Sequence, residues 1–439
     1  MIADEWIRES MPTHWGIARV KDHALVVNGY RFDSKLFATD AVYPLVRIRD
    51  ISSSETVVRY DGDWIPEAAI TTGDVLVGMD GDFNVARWNG GDALLNQRVC
   101  CIRTAESMDS GYLYYALPKP LQLINEFTYS TTVKHLSSFD VLDIRVPFPP
   151  IDQQKLIANY LDRETARIDG LVSEKERMLA LLEEKRAALI SRVVTRGLDP
   201  NAPIKPSGQE WLGDIPAHWR IRRIKYLTTA LDQGSSPIAA NSPAGPDELE
   251  VLKLGAVSRG RFRREENKAL RDADDSEQAT ALRKGDVLIT RGNTPQLVAD
   301  VACVPEDEPN LLIPDLIYRL RVRNEEILPE FLTAFLTSAP ARTPIRRDAR
   351  GSSGSMVKVS QDHVLNWQAP LPPLPEQAEI VAHLQAAEAR FQSVSTELAA
   401  SVSLLAERRA ALITAAVTGQ IPLSEMQSET QETSCVSTA

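Results

Sequence analysis

The sequence predicts an α+β protein built from two copies of one plan, each a mixed α/β globular part followed by one long helix. Three observations predict it: the chain repeats itself, short apolar strand signals stand between turn residues, and two stretches of about 44 residues lack Pro and turn clusters while apolar residues recur at helical spacing. The expected architecture is two globular domains joined by two long antiparallel coiled-coil helices, related by an internal pseudo-twofold repeat.

The repeat is legible in three places. EWIRESMPTHW at 5–15 returns as EWLGDIPAHW at 210–219, so that Trp6 and Trp15 match Trp211 and Trp219. GDVLVGMDGDF from Gly73 matches GDVLITRGNTP from Gly285, each a turn followed by a short apolar strand. VPFPPIDQQKLIANYLD from Val146 matches APLPPLPEQAEIVAHLQ from Ala369. The offset grows from about 205 at the repeat starts to a constant 223 after the Pro-rich marker, so insertions fall in the globular parts and none in the helices. Variable length in one part and strict length in the other point to an adaptable surface and a fixed ruler.

Each element has its own signal. In the first globular part, strands are expected at 45–48, 74–77 and 98–102 and a helix at 112–117. The second part repeats them with VLKLGAV at 251–257, VLIT at 287–290, LIYRLRV at 316–322 and EFLTAFL at 330–336. The first long helix is expected from Asp152 to about Arg196, with Pro149 and Pro150 barring helix upstream and Gly197 and Pro200 stopping it. The second runs from Pro375 to about Thr418. At 1.5 Å per residue each spans roughly 65 Å. Helices that long with a narrow apolar stripe need a partner, and the equal-length copy in the same chain supplies one; two helices lying independently on their own domains are the other reading. The expected domains are 1–150, helix 151–197, linker 198–209, 210–373, helix 374–420 and a disordered polar tail 421–439.

Composition narrows the function. With 439 residues, 43% apolar and 25% charged, the chain is of globular type. Cys100, Cys101, Cys303 and Cys435 fit neither a disulfide framework nor a zinc site, and a reducing cytoplasm is the expected compartment. No segment reads as a signal peptide or a membrane span. The prolines of PFPPID and PLPPLP lack the preceding amide or acid of an amino-methyltransferase, and neither Pro246-Asp247 nor Pro314-Asp315 is followed by a nuclease-type acid and lysine. The six histidines show no metal-ligand spacing, and His14 and His218, in the repeated Pro-x-His-Trp element, read as structural neighbours of a buried Trp. No metal and no catalytic constellation is expected.

A net charge of −11 argues against nucleic acid only if charge is spread evenly, and it is not. WRIRRIK at 219–225 carries four positive charges and no negative one; SRGRFRREENK at 258–268 and ARTPIRRDARGSSGSMVK at 341–358 are also basic. Each cluster alone reads more readily as solvated surface, but together they suit phosphate contact. The candidates for DNA contact in the second part are Arg259, Arg261, Arg263, Arg291, Asn293, Arg346, Arg347, Arg350 and Lys358. In the first part they are Asn84, Arg87, Gln97, Arg98, Lys134 and His135, residue types that hydrogen-bond base edges.

In this order and duplicated, these motifs resemble the specificity subunits of type I restriction-modification systems. The features are the Pro-x-His-Trp openings, GDVLVGMDGDFNVARW and GDVLITRGNT, ALLNQRV at 93–99, TTVKHLSS at 131–138, SMVKVS at 355–360, and helices opening with PPIDQQ or PPLPEQ and closing with KRAALISRVVTRG or RRAALITAAVTGQ. The resemblance implies two target-recognition domains that each read half of a bipartite double-stranded DNA sequence, with the helices setting the gap. It implies partners: methyltransferase subunits, two of them, and restriction/translocase subunits. It also implies that S-adenosylmethionine, ATP and Mg belong to those partners, with no cofactor and no catalysis in this chain. Met79-Asp80-Gly81 stands where the second copy has Arg291-Gly292-Asn293, so the two copies need not contact the same bases. The competing reading is a duplicated coiled-coil scaffold that binds only proteins.

Overall fold

The computed structural model describes residues 5–8, 11–53, 55–127, 134–235, 239–240, 242, 244–245, 248–270, 281–353 and 356–427. The chain divides into two compact units, residues 1–176 with 399–439, and residues 177–398. Each unit holds one globular part and a piece of both long helices, a division that the sequence boundaries at 150 and 373 do not anticipate.

In the first unit, strand Val75–Gly78 is buried along its whole length, as a continuous apolar run requires. It pairs antiparallel with Val99–Thr104 and Val85–Arg87, and Ala24–Asn28 extends the sheet beyond Val99–Thr104. A second, five-stranded sheet brings Leu45, Val46 and Leu94 into the interior. Gly29 lies where the two meet: its N–H donates to the Val99 carbonyl at 3.1 Å, and a Cβ would stand 2.0 Å from the Asn96 carbonyl oxygen. Only glycine fits so close an approach. The expected helix at 112–117 is Ser110–Ala116, capped by the Asp109 carboxylate, which accepts from Tyr112 N.

The second unit repeats this frame. Strands Thr228–Gln233, Ile317–Val322, Val287–Thr290 and Val301–Cys303 follow the same sheet order, and Gly234 takes the place of Gly29, with the Ile313 carbonyl oxygen 1.9 Å from its would-be Cβ. The expected helix at 330–336 is Pro329–Thr337. A three-stranded sheet of Gly292–Asn293, Met356–Lys358 and Arg350–Ser353 is added at one edge.

The long helices are Ile151–Arg196, of 46 residues, and Leu374–Val417, of 44. Each begins directly after a Pro-Pro pair and ends at a glycine in the left-handed region, Gly197 at φ 74° and Gly419 at φ 76°. Just before those glycines, Thr195 and Thr418 return their hydroxyls to the carbonyls four residues back.

Within the first unit, the start of the first helix meets the end of the second. The Tyr112 hydroxyl donates to the Pro147 carbonyl at 2.9 Å, with the Val417 carbonyl 3.2 Å away, and Arg409 Nε donates to Asp169 at 2.9 Å. Within the second unit Arg186 pairs with Glu388, and Gly197 lies against Glu376. In each unit the helical segments therefore run antiparallel. Burial steps through Ile168, Val172, Lys175, Leu179, Leu182, Arg186, Leu189 and Val193 on the first helix, alternately four and three residues apart. The second shows the same spacing from Leu384 through Glu388, Phe391, Ser395 and Leu398 to Leu412. That is the heptad seam of a two-stranded coiled coil.

Two expectations are corrected. The linker at 198–209 contains strand Ile204–Pro206, paired antiparallel with Asp214–Pro216; prolines are tolerated on such a short edge because few N–H groups must donate. The tail is not disordered from 421: Leu423–Gln427 is helical, Met426 is buried in the first unit's core, and its carbonyl accepts from Arg163 at 3.3 Å. Polar neighbours hid the apolar set Ile421, Leu423 and Met426. Residues 428–439 lie outside the described residues, as do 131–133 of the TTVKHLSS motif.

Candidate nucleic-acid interface

The repeated Pro-x-His-Trp elements anchor each globular part to a helix start. Trp15 Nε1 donates to Gln153 at 3.0 Å, and Trp219 Nε1 donates to Glu376 at 3.0 Å, the residue at the matching repeat position. His218 also meets Glu376, at 2.7 Å, in keeping with the structural role expected of it. The next residues, Gln154 and Gln377, are fully buried and do one job twice. Their amide nitrogens donate to Pro149 and Ser107 or to Pro372 and Glu326, and their oxygens accept from Asp109 N or Leu328 N. Each glutamine ties the Pro-Pro marker to the loop that opens the next helix of its globular part.

The same backbone scaffold carries the exposed polar residues. In the first unit Met79 N donates to the Arg98 carbonyl, Leu136 N to the Met79 carbonyl, and Asp80 bridges His135 antiparallel. In the second, Arg291 N donates to the Leu316 carbonyl, Val359 N to the Arg291 carbonyl, and Gly292 pairs Lys358 antiparallel. The rung is thus repeated bond for bond, with Asp80 and His135 at the places of Gly292 and Lys358. The hairpin beside it is repeated too: Gly78 N donates to Asn84 O and Thr290 N to Asp300 O. Just before those acceptors stand Phe83 and Ala299, non-glycine residues at φ 53° and 51°, a conformation that costs about 1–3 kcal/mol and persists only where the surroundings fix it.

The structure sorts the fifteen candidates. Arg98 and His135 converge on Asp80, at 3.2 and 2.8 Å, with both of their side chains about half exposed and the carboxylate mostly covered. Gln97 and Asn84 are exposed, while Lys134 is half-buried and spends its ammonium on Asn125. In the second unit Asn293 and Lys358 lie in the three-stranded sheet with Arg291 beside them; Arg350 shares its backbone register, but its side chain lies outside the described residues. Arg263, Arg346 and Arg347 are exposed. Arg259 is exposed at the tip of a tight hairpin, at φ 50°, its N–H held by Asp300 at 2.8 Å.

Two candidates are anchors to the long helices. Arg87 places both terminal nitrogens 3.2 Å from Asp162, and Arg261 pairs with Glu388, its Nε at 3.0 Å. Sequence spacing could not separate these from free cations, because their partners are 75 and 127 residues away. Burial alone would raise the Glu388 carboxyl, but the Arg186 and Arg261 guanidiniums hold it below the ordinary range. Asp300 goes the other way: burial raises it against the two backbone N–H groups that it accepts from.

Among the described residues, no group of three or more His, Cys, Asp or Glu is placed to hold a metal, and no helix is long and apolar enough to cross a membrane. Burial pushes the Cys100 and Cys303 thiols up to about 12 and raises Cys101 as well, so these are not thiolates at neutral pH.

Comparison with known proteins agrees with this duplicated, cation-edged scaffold. A family profile described as "Type I restriction modification DNA specificity domain" matches residues 12–176. The chain is 29% identical over 406 residues to the type I restriction enzyme EcoBI specificity subunit of Escherichia coli, covering 90% of this chain and 82% of that protein. It is 23% identical over 397 residues to the EcoKI specificity subunit of Escherichia coli strain K12, covering 85% and 82%. A solved chain from work on complex assembly and conformational transition of the type I R-M system superposes with a TM-score of 0.67 at 18% identity, over 94% of this chain and 99% of that one, a likeness of fold. A sheet frame built twice, each copy pinned to a helix start by the same Trp and Gln contacts, and relatives matched over most of their length make this chain similar to type I restriction-modification specificity subunits, whose DNA specificity domain its residues 12–176 match.

Proposed function

We propose that this chain reads a bipartite double-stranded DNA target, one half-site per globular part, and that the coiled-coil helices set the gap between halves. The observation that supports this best is the repeated rung: one backbone with unlike polar side chains, Arg98 and His135 exposed on the first copy and Lys358 on the second, as two readers with a shared scaffold and different targets require. Direct readout would come from side chains at the rung, and phosphate contact from the basic loops around it. Helices of 46 and 44 residues give a ruler of roughly 65–70 Å, about 20 base pairs of duplex. The specified bases lie closer together than that, because the readers pack beside the helix ends.

Catalysis belongs to partner subunits in this reading. Methyltransferase subunits, two of them, bind S-adenosylmethionine, and restriction/translocase subunits bring ATP and Mg, all in the cytoplasm. Exposed apolar residues off the seam of the first helix, Leu171, Met178 and Leu181, offer such partners a docking face. The test is methylation mapping of the host genome with and without this gene. A two-part motif with a fixed gap should vanish with the gene; an unchanged methylome, together with no sequence preference in gel shifts of the chain with its methyltransferase, would favour a protein-only scaffold.

A further inference from the structure

On that reading, the geometry points to the repeated rung as the place where each half-site is discriminated: Arg98 with Asp80 and His135 in the first reader, Asn293 with Lys358 in the second. At the rung the two scaffolds share their backbone hydrogen bonds while their side chains differ. Behind it both copies are sealed by buried apolar residues, Leu136 and Val359. In front of it the first copy presents an acid beside a guanidinium and an imidazole, and the second an exposed ammonium and a half-buried amide, whose oxygen accepts from Thr294 N at 2.8 Å, on a strand pair with no side chain at Gly292.

The first set has a definite complement. Arg98 spends Nη1 on Asp80, which leaves Nη2 and Nε as a parallel pair of donors on a side chain 53% exposed. That fork matches O6 and N7 of guanine in the major groove, whereas a pyrimidine offers no such pair of acceptors. Asp80, an acceptor alone when ionised, complements the N4 amine of cytosine. His135 gives one ring nitrogen to Asp80 Oδ1, the same oxygen that Arg98 Nη1 meets, and helps hold the carboxylate. A G·C pair therefore presents both partners that the Asp80–Arg98 unit lacks. In the second copy the acid is replaced by Gly292, so the same register cannot demand cytosine, and recognition there passes to the Asn293 amide and the Lys358 ammonium.

The test uses the assembled methyltransferase complex, in competition binding against duplexes altered one base pair at a time and in methylation mapping in the host. Arg98→Ala should lower the preference for one G·C pair in one half-site about ten- to a hundredfold, leaving the other half-site and the gap unchanged. Asn293→Ala with Lys358→Ala should do the reverse. Arg98→Lys keeps a charge on Asp80 but loses the fork, so it should also relax that pair if Arg98→Ala fails to assemble. The inference is overturned if a folded variant keeps every base preference of the parent, or if one variant alters both half-sites. A wild-type target that proves continuous rather than bipartite would instead defeat the proposed function, leaving the assignment of base-reading residues to be judged on the variants.

Discussion

Glu388 shows how much a single carboxylate decides. It sits on the second long helix, receives Arg186 from the first and Arg261 from the globular part, and so joins three segments of the second unit. Arg186 is nearly covered, with 12% of its side chain exposed, so removing the acid would leave a guanidinium with little water to replace it. Glu388→Gln should cost about 1–3 kcal/mol at pH 7. Because the two arginines hold the carboxyl low, the folded state binds fewer protons than the unfolded one. The contribution is complete above the unfolded value of about 4.3 and is lost as pH falls through the lower folded value. Thermal melts of the full chain should therefore separate parent and variant at pH 7 and converge as pH falls through the lowered folded value of Glu388; a constant separation would show that the charge of Glu388 is not what stabilises this junction. Which arginines would be anchors was not legible in the sequence, since Arg87 and Arg346 look alike until a carboxylate 75 residues away is folded against one of them.

At the scale of elements, the helices were the most legible part. A Pro-Pro stop, a heptad stripe and a terminal glycine are local signals, and they placed the observed ends within one or two residues. The strands inside the globular parts were legible where they are fully buried, as at Val287–Thr290, and not where pairing rests on two or three residues, as in the linker strand Ile204–Pro206. The seam sharpens the ruler experiment. Removing four residues from each helix, about one turn, shortens it but breaks the four-three alternation, whereas removing seven keeps every seam residue facing its partner. A matched heptad deletion from both helices should shorten the helices by about 10 Å and the gap by about three base pairs, with both half-sites intact, as read by methylation mapping. A gap that stays fixed while a half-site changes would mean that the helices do not measure it.

At the scale of the whole chain, the sequence showed two copies but not how packing divides them. Its boundaries followed the chain, ending each domain where a helix begins. The compact units instead end inside the helices, near residues 176 and 398, because an apolar stripe does not say which neighbour covers it. The net charge of −11 is likewise a sum that conceals a partition. In the first unit the cations near the opening strand are neutralised, Arg19 by Asp22 and Lys21 by Asp143. In the second, the corresponding strand and turn expose Arg220, Arg222, Arg223 and Lys225, and no ion pair links them to an acid among the described residues. Free cations release counterions from DNA, and paired ones do so far less, so the salt dependence of binding should be carried mainly by the second reader. Arg222→Ala with Arg223→Ala should weaken binding of the assembled complex to all duplexes alike. It should also lower the slope of log affinity against log salt by about one for each phosphate that is no longer neutralised, leaving the preferred bases unchanged. An unaltered slope would place these arginines on a surface that DNA does not reach; a changed base preference would make them readers rather than clamps.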